Sequence, residues 1–319
     1  MTRWRLQRKT APMTLDLFLN TFAGNPLDRA SYHRVDDAWL AAQLASDEAL
    51  ALAVWNGRPL VEDAKDGGVQ LAYLPAKLAG ELSGGPERLL FLGLWKQTPV
   101  FALDLEGQAD PTASSLTGLG RFADLHQVAG SLPAADAAIT ATAKAVFEWR
   151  RRHRHCAACG KPTRPADGGW KRVCEACEAE HFPRTDPVVI MLPYHGERCM
   201  LGRQESWPAG MFSCLAGFLE PGEAIEEACA RELEEEAGLH AVKVRYHSSQ
   251  PWPYPSTLMI GLLAEVEDEE GRPDQTELSE VRWFTRAEAR ALLAGKLEGL
   301  LCPPAHAVAH QLLKAWAAE

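Results

Sequence analysis

Residues 217–239 constrain this chain more than any other stretch: Gly-Phe-Leu-Glu-Pro-Gly-Glu-Ala-Ile-Glu-Glu-Ala-Cys-Ala-Arg-Glu-Leu-Glu-Glu-Glu-Ala-Gly-Leu. Pro221-Gly222 at the front and Gly238 behind predict a helix between Pro221 and Gly238. At about 100° per residue, Ala228 and Cys229 share the face of Ile225, and so do Glu232, Glu235 and Glu236. The stripe begins apolar and continues acidic on the side that ordinarily meets a core. Carboxylates crowded on an inward face repel one another unless a cation neutralises them. Hard oxygen donors suit Mg²⁺ or Mn²⁺, ions that also bind phosphates. The competing reading is a solvated acidic helix, with Arg231 pairing to Glu227 and Glu235 one turn away. The loop glycines, the Arg231-Glu232 pair and the inward acids favour a catalytic site.

Four of the eight cysteines form a second pattern: Cys156 and Cys159, fourteen intervening residues, then Cys174 and Cys177. Paired C-x2-C knuckles without a secretory signal point to one structural Zn²⁺ held by four thiolates. A thioredoxin-like redox pair is the alternative. Gly160, Gly168 and Gly169 supply the chain reversals between the knuckles. Cys199, Cys214, Cys229 and Cys302 are scattered and read as small buried hydrophobes.

At 319 residues the chain has room for more than one core. Its net charge of −10 argues against indiscriminate nucleic-acid binding. One local exception is Arg150-Arg151-Arg152-His153-Arg154-His155, which could attract an RNA backbone or could simply be the solvated basic end of a helix. No apolar run approaches the ~20 residues of a membrane span, and Met1-Thr2-Arg3-Trp4-Arg5 leads into no signal-peptide core. These features predict a cytoplasmic protein.

The pattern predicts three segments: an accessory α+β domain over 1–152, a zinc ribbon over 153–183 and a catalytic domain over 184–319. In the first, Ala49–Trp55 and Arg58–Glu62 flank the hairpin signal Asn56-Gly57, and Leu89–Trp95 and Pro99–Leu105 flank Lys96-Gln97-Thr98. A helix should run from Pro133 to Arg151. In the third, strands are expected at Pro187–Leu192, Cys199–Arg203, Val242–Tyr246, Thr257–Glu265 and Val281–Thr285, before a last helix at Ala305–Ala317. The acidic run 265–270 reads as a solvated loop, and no internal repeat is visible. This order fits an α/β fold, a mixed sheet sandwiched by helices.

Beyond the acidic helix, Gln250-Pro251-Trp252-Pro253-Tyr254-Pro255-Ser256-Thr257 alternates prolines with aromatics. Prolines so spaced predict a stiff extended segment. It would display Trp252 and Tyr254 for stacking on a base or nicotinamide ring, or else fill a core with them.

Gly217, Glu223, Arg231, Glu232, Leu233, Glu235, Glu236, Gly238 and Leu239 match the Nudix box at every defining position. The stretch Ser249–Met259 resembles the signature that follows that box in the NADH pyrophosphatase subfamily, with Tyr254 where Phe is usual and Thr257 where Ser is usual. The subfamily also shares the order of N-terminal domain, four-cysteine ribbon and Nudix domain.

The resemblance implies a Nudix α/β/α sandwich and hydrolysis of NADH, or less readily NAD⁺, to NMN(H) and AMP. It further implies removal of NAD caps from RNA 5′ ends, and a homodimer whose sites borrow residues from both subunits. Carried over by position, Glu232, Glu236, the Ala216 carbonyl and Glu277 would ligate two or three Mg²⁺ or Mn²⁺ ions, completed by Glu235. Residues 250–257 would line the substrate pocket, Phe218 and Trp252 would stack on nicotinamide, and Ala309 would be a further contact. Arg231 would orient a glutamate and brace the loop, while Glu235 or Glu236 would take the water proton. Phe182 stands where relatives often have a substrate-binding tyrosine, and His126 where they often have arginine. Other nucleoside diphosphates, such as ADP-ribose or diadenosine polyphosphates, remain alternative substrates. A non-catalytic zinc-ribbon binding protein would be expected to have lost one of the acids.

Overall fold

The computed structural model describes residues 20–64, 67–113 and 115–319; the Met1–Arg5 start lies outside them. Three sheets follow one another along the chain.

The first is built from α1 (Asp37–Leu44), β1 (Leu50–Trp55), β2 (Arg58–Asp63), β3 (Val69–Leu71), β4 (Tyr73–Pro75), α2 (Ala76–Ser83), β5 (Leu89–Trp95), β6 (Thr98–Asp104), β7 (Arg121–Phe122), α3 (Leu125–Val128) and α4 (Ala134–Arg152). The strands run β3-β2-β1-β6-β5, with β4 on β1 and β7 on β2; only β1 and β6 pair in parallel. Asn56 and Gly57, at φ 48° and 74°, close β1 on β2 with a two-residue left-handed turn. Lys96 and Gln97, at φ 49° and 81°, do the same between β5 and β6. Thr98 therefore pairs with Trp95 and opens β6, where the sequence pattern placed it in the turn. Alternation along β1 serves two cores. Leu52 and Val54 join Ile139 and Phe147 of α4, while Ala51 and Ala53 join Ala76 and Ala79 of α2.

The second sheet is small: β8 (Thr163–Ala166), β9 (Lys171–Cys174) and β10 (Glu180–His181). Arg172 anchors it. Its buried guanidinium donates to both Glu87 oxygens at 2.9 and 3.1 Å, and to the Thr163 hydroxyl at 2.7 Å.

The third contains β11 (Asp186–His195), β12 (Arg198–Arg203), β13 (Leu215–Phe218), α5 (Ile225–Ala237), β14 (Ala241–Trp252), β15 (Thr257–Val266), β16 (Glu280–Thr285), α6 (Arg286–Leu293) and α7 (Val308–Ala318). Its order is β14-β15-β11-β12-β16, with β13 on β11, and only β11 and β15 pair in parallel. Val189 and Met191 pack on Ala228 and Leu233 of α5; Ile190 and Leu192 pack on Leu312 and Trp316 of α7. That is the mixed α/β sandwich expected.

Sheets one and three share a topology that the sequence does not display. Each has a hairpin (β1-β2, β11-β12), then a short strand returning to the first (β4, β13), then a helix (α2, α5). Each continues with an antiparallel pair whose second strand runs parallel to the first of the sheet (β5-β6, β14-β15). A strand on the hairpin's outer member (β7, β16) and a helix on the opposite face (α4, α7) complete both. The chain contains a repeat of fold without a visible repeat of residues.

No helix among the described residues is long and apolar enough to cross a membrane.

Candidate active site

α5 begins at Ile225, four residues after Pro221, so Glu223 belongs to the preceding loop and not to the helix. Glu227 accepts from the Ala224 N–H at 2.7 Å, satisfying one of the orphan donors of the first turn. Gly238, at φ 64°, ends the helix in the left-handed conformation that favours glycine. With this start, Glu232 and Glu236 turn inward at 8 % and 5 % exposure, but Glu235 is exposed. The inward face therefore carries two of the three acids expected there, because Leu233 and Ala237 centre the buried stripe between them.

Arg231 gathers the loop onto the helix. Its Nε and Nη2 donate to the two Glu223 oxygens at 2.6 and 3.0 Å, and Nη2 also donates to the Phe218 carbonyl at 2.9 Å. Its Nη1 donates to Glu232 at 2.8 Å and Glu235 at 2.9 Å. This pairing raises the Arg231 pKa and brings that of Glu223 down to about 2. Glu232 moves the other way: burial raises it, the Arg231 charge opposes, and Glu235 and Glu277 add repulsion. Glu236 is pushed up to about 8, by burial first and then by Glu232, Glu277 and Asp274. One Glu236 oxygen, Oε2, is buried with no hydrogen-bond partner among the described residues.

Glu277 comes from the loop between β15 and β16. That loop is tied to α5 by Arg272 N–H to the Ala237 carbonyl at 2.8 Å and Asp274 N–H to the Glu236 carbonyl at 3.1 Å. Asp274 folds the turn by accepting from the N–H groups of Thr276, Glu277 and Leu278. Sequence reasoning missed this acid. The Asp-Gln-Thr signal was present, since a side chain accepting two residues on is the ordinary Asx turn.

A cavity of about 380 Å³ opens beside the acids, lined by Glu236, Ala216, Gln250, Trp252, Ala309 and His126 among others. Gln250 is fully buried, and its amide faces backbone: Nε2 donates to Thr21 and His306 carbonyls at 3.1 and 2.7 Å, and Oε1 accepts from Val308 N–H at 2.8 Å. It fixes the wall and the start of α7. The following residues form a turn, not the stiff extended segment expected, because Trp252 pairs with Thr257 and the prolines carry the chain from β14 into β15. Pro251, Pro253, Ser256 and Thr257 face a separate cleft, which Trp252 shares with the cavity. Tyr254 and Pro255 line neither; Tyr254 stacks on His126 at 4.1 Å, under the Lys144 ammonium.

Trp252 packs 6.0 Å from Phe22 and 5.3 Å from the His126 ring, so the aromatic turn docks on the first sheet's domain. Phe182 and Phe218, at 60 % and 61 % exposure, stand outside the cavity. Three arginines of the basic run 150–155 are held by partners. Arg150 is buried on the carbonyls of Pro86, Glu87 and Leu89, Arg151 pairs with Asp104 and Glu148, and Arg152 with Glu148. The run is a helix end partly folded into ion pairs, with Arg154 and His155 exposed beyond it.

In the ribbon, the sulfurs of Cys156, Cys159, Cys174 and Cys177 lie within 4.8 Å of one another, two of the edges measuring 3.5 and 3.6 Å. A tetrahedron of thiolates at about 2.3 Å from one ion has edges of about 3.8 Å, so the set fits a single Zn²⁺. Four protein ligands leave no open position, which makes the site structural.

Buried acids beside an orphaned carboxylate oxygen, at the edge of a cavity, are an arrangement that a divalent cation would complete. Residues 183–300 match the NUDIX domain family, 151–182 the NADH pyrophosphatase zinc ribbon domain, and 48–149 the NADH pyrophosphatase-like rudimentary NUDIX domain. The NAD-capped RNA hydrolase NUDT12 of Macaca fascicularis is 36 % identical over 342 residues, covering 93 % of this chain and 73 % of that protein. The human protein of that name is 35 % identical with the same coverage, and the NAD-capped RNA hydrolase NudC of Mycobacterium bovis is 37 % identical over 87 % of this chain and 86 % of its own. The chain belongs to the Nudix hydrolase family, in the group built from these three modules.

Proposed function

We propose that this enzyme hydrolyses the pyrophosphate bond of NADH and NAD⁺ to NMN(H) and AMP, and removes NAD caps from RNA 5′ ends. The carrying observation is the cavity that sets Glu236 and Trp252 on one surface; the names of the relatives support the same substrates. Glu232, Glu236, the Ala216 carbonyl and Glu277 would hold Mg²⁺ or Mn²⁺, with Glu235 at the exposed margin. The donor set fits, since burial and mutual repulsion oppose the charge on Glu236 and its Oε2 has no hydrogen-bond partner among the described residues. Such ions, when bound, neutralise pyrophosphate charge and make a bound water more acidic.

The chain's own residues supply positioning and proton acceptance. Arg231 holds Glu223 and the Phe218 carbonyl, fixing the loop against the helix, and orients Glu232. The water proton passes to a carboxylate, Glu235 or Glu236. Trp252 and Ala309 form apolar walls for a nicotinamide ring, and His126 brings the first domain to the same cavity. Exposed Phe182 and Phe218 support a homodimer in which a second copy covers them. We place the working units at 1–152, 153–183 and 184–319, and the enzyme in the cytoplasm.

Product analysis tests the reading: NADH with Mg²⁺ or Mn²⁺, beside a brief EDTA control and matched ADP-ribose and NAD-capped RNA. NMNH plus AMP, abolished by EDTA, is expected. Turnover of ADP-ribose with NADH left intact would refute the substrate assignment while leaving the Nudix chemistry standing.

A further inference from the structure

A cleft of about 830 Å³ lies where the three modules meet. Phe22–Asn25 and α4 form one wall, Trp170 of the ribbon and Pro183–Thr185 another, and β14, β15 and their turn the third. Its lining carries three arginines, Arg29, Arg34 and Arg184, and no Asp or Glu among the described residues. In a chain of net charge −10 that is a local reversal of sign.

Arg184 pairs with Asp186 at 2.9 Å. The other two arginines lie over the Trp170 ring, with guanidinium carbons 5.2 and 4.6 Å from its centre. Arg29 Nη1 and Arg34 Nε are shielded from solvent and donate to nothing among the described residues. Burial lowers both pKa values; Arg34 lowers Arg29 further, and Asp167 partly offsets the effect on Arg34. Two half-buried like charges, Arg29 making only a long 3.4 Å bond from Nη2 to the Thr142 hydroxyl among the described residues, are an arrangement an anion completes. The cleft also presents aromatic faces, Trp170, Tyr246 and Trp252, beside the hydroxyls of Thr142, Ser249 and Ser256. Trp252 belongs equally to the acid-lined cavity, so the two spaces adjoin across one indole.

We infer that this cleft receives the polynucleotide body of a capped RNA, with Arg29 and Arg34 on backbone phosphates and the aromatic faces taking unpaired bases. The inference deepens the function proposed above and rests on it. Alternating phosphates and bases match alternating guanidinium and aromatic groups, which is how single strands are held. It also moves the RNA contact from the 150–155 segment, where Arg151 and Arg152 are ion-paired, to a cleft whose Arg29 and Arg34 lie over an indole.

The test compares the full chain with R29M/R34M and R29K/R34K on three substrates: NADH, and RNAs carrying an NAD cap and one or eight unpaired nucleotides. The Met pair keeps the packing on Trp170 and removes the charge. For the wild type, the eight-nucleotide substrate should show about tenfold higher kcat/KM than the one-nucleotide substrate. R29M/R34M should lose that gain through KM, keep NADH turnover within about twofold, and lower the slope of log kcat/KM against log salt by about 1 to 2. The Lys pair should restore most of it. Equal losses on NADH and RNA, or an unchanged length dependence, would overturn the cleft assignment. A wild type that cleaves NADH but releases nothing from either RNA would overturn the decapping reading itself, and the cleft assignment with it.

Discussion

At position 217 a single methyl group would end the site. A Cβ built on Gly217 falls 1.8 Å from the Glu232 carboxyl carbon, so the strand backbone and the acid occupy adjoining space with none left over. G217A should fold with a loss of about 1–3 kcal/mol and lower kcat at least 100-fold, as steady-state kinetics beside thermal unfolding would show. Glu236 carries a different signature. Its folded pKa of about 8 lies above the value of about 4.3 expected in the unfolded chain, so its contribution to stability is full below about pH 4.3 and is lost as pH rises through about 8. In Mg²⁺-free buffer Tm should therefore fall across that window, and added Mg²⁺ should recover it at the alkaline end. E236Q should flatten the profile and lower turnover by orders of magnitude; a pH series by differential scanning calorimetry decides. The inward acids were legible because helical spacing alone places Glu232 and Glu236. Asp274 was not, since its proximity follows from how a distant loop is tied to α5.

Among the elements, β14 and α7 meet through Gln250. Three backbone partners on one amide mean that Q250L leaves the Thr21 and His306 carbonyls and the Val308 N–H without it. The expected cost is about 2–4 kcal/mol, with Ala309 displaced from the cavity wall and KM for NADH raised. Denaturant titration and kinetics on one preparation would show both. In the ribbon, C174S should release Zn²⁺ and unfold the short sheet β8–β10, measured as zinc content and as proteolysis between 153 and 183. The longer strands and both hairpins could be read from alternation and turn residues, but the short strands β3, β4, β7 and β13 could not. The Pro-Trp-Pro-Tyr-Pro turn could not, because proline spacing describes stiffness, while direction comes from the Trp252–Thr257 pairing that only the sheet supplies.

Over the whole molecule, the cavity beside Glu236 is lined in part by a residue the third sheet does not own. His126, from α3, stacks on Tyr254 and lines the cavity beside Trp252. H126A should raise KM for NADH several-fold with kcat little changed, and rate constants on NADH would test it. An unchanged KM would assign His126 to the seam alone. This contact was out of reach of the sequence, since 126 residues of separation between His126 and Trp252 carry no local pattern. The three-module order was readable because each module bears its own short motif.

The shared topology of the first and third sheets has an evolutionary corollary. Where α5 bears Glu232 and Glu236, its counterpart α2 reads Ala-Lys-Leu-Ala-Gly-Glu-Leu-Ser and buries only Ala76, Ala79 and Ser83. The two helices hold equivalent places in sheets of one topology, and of the two only α5 buries carboxylates. Selection should then act on the two helices by unlike rules. Natural variants ought to drift widely along the outer face of α2 yet hold still at Phe22 and Lys144, where the first domain touches the turn between β14 and β15.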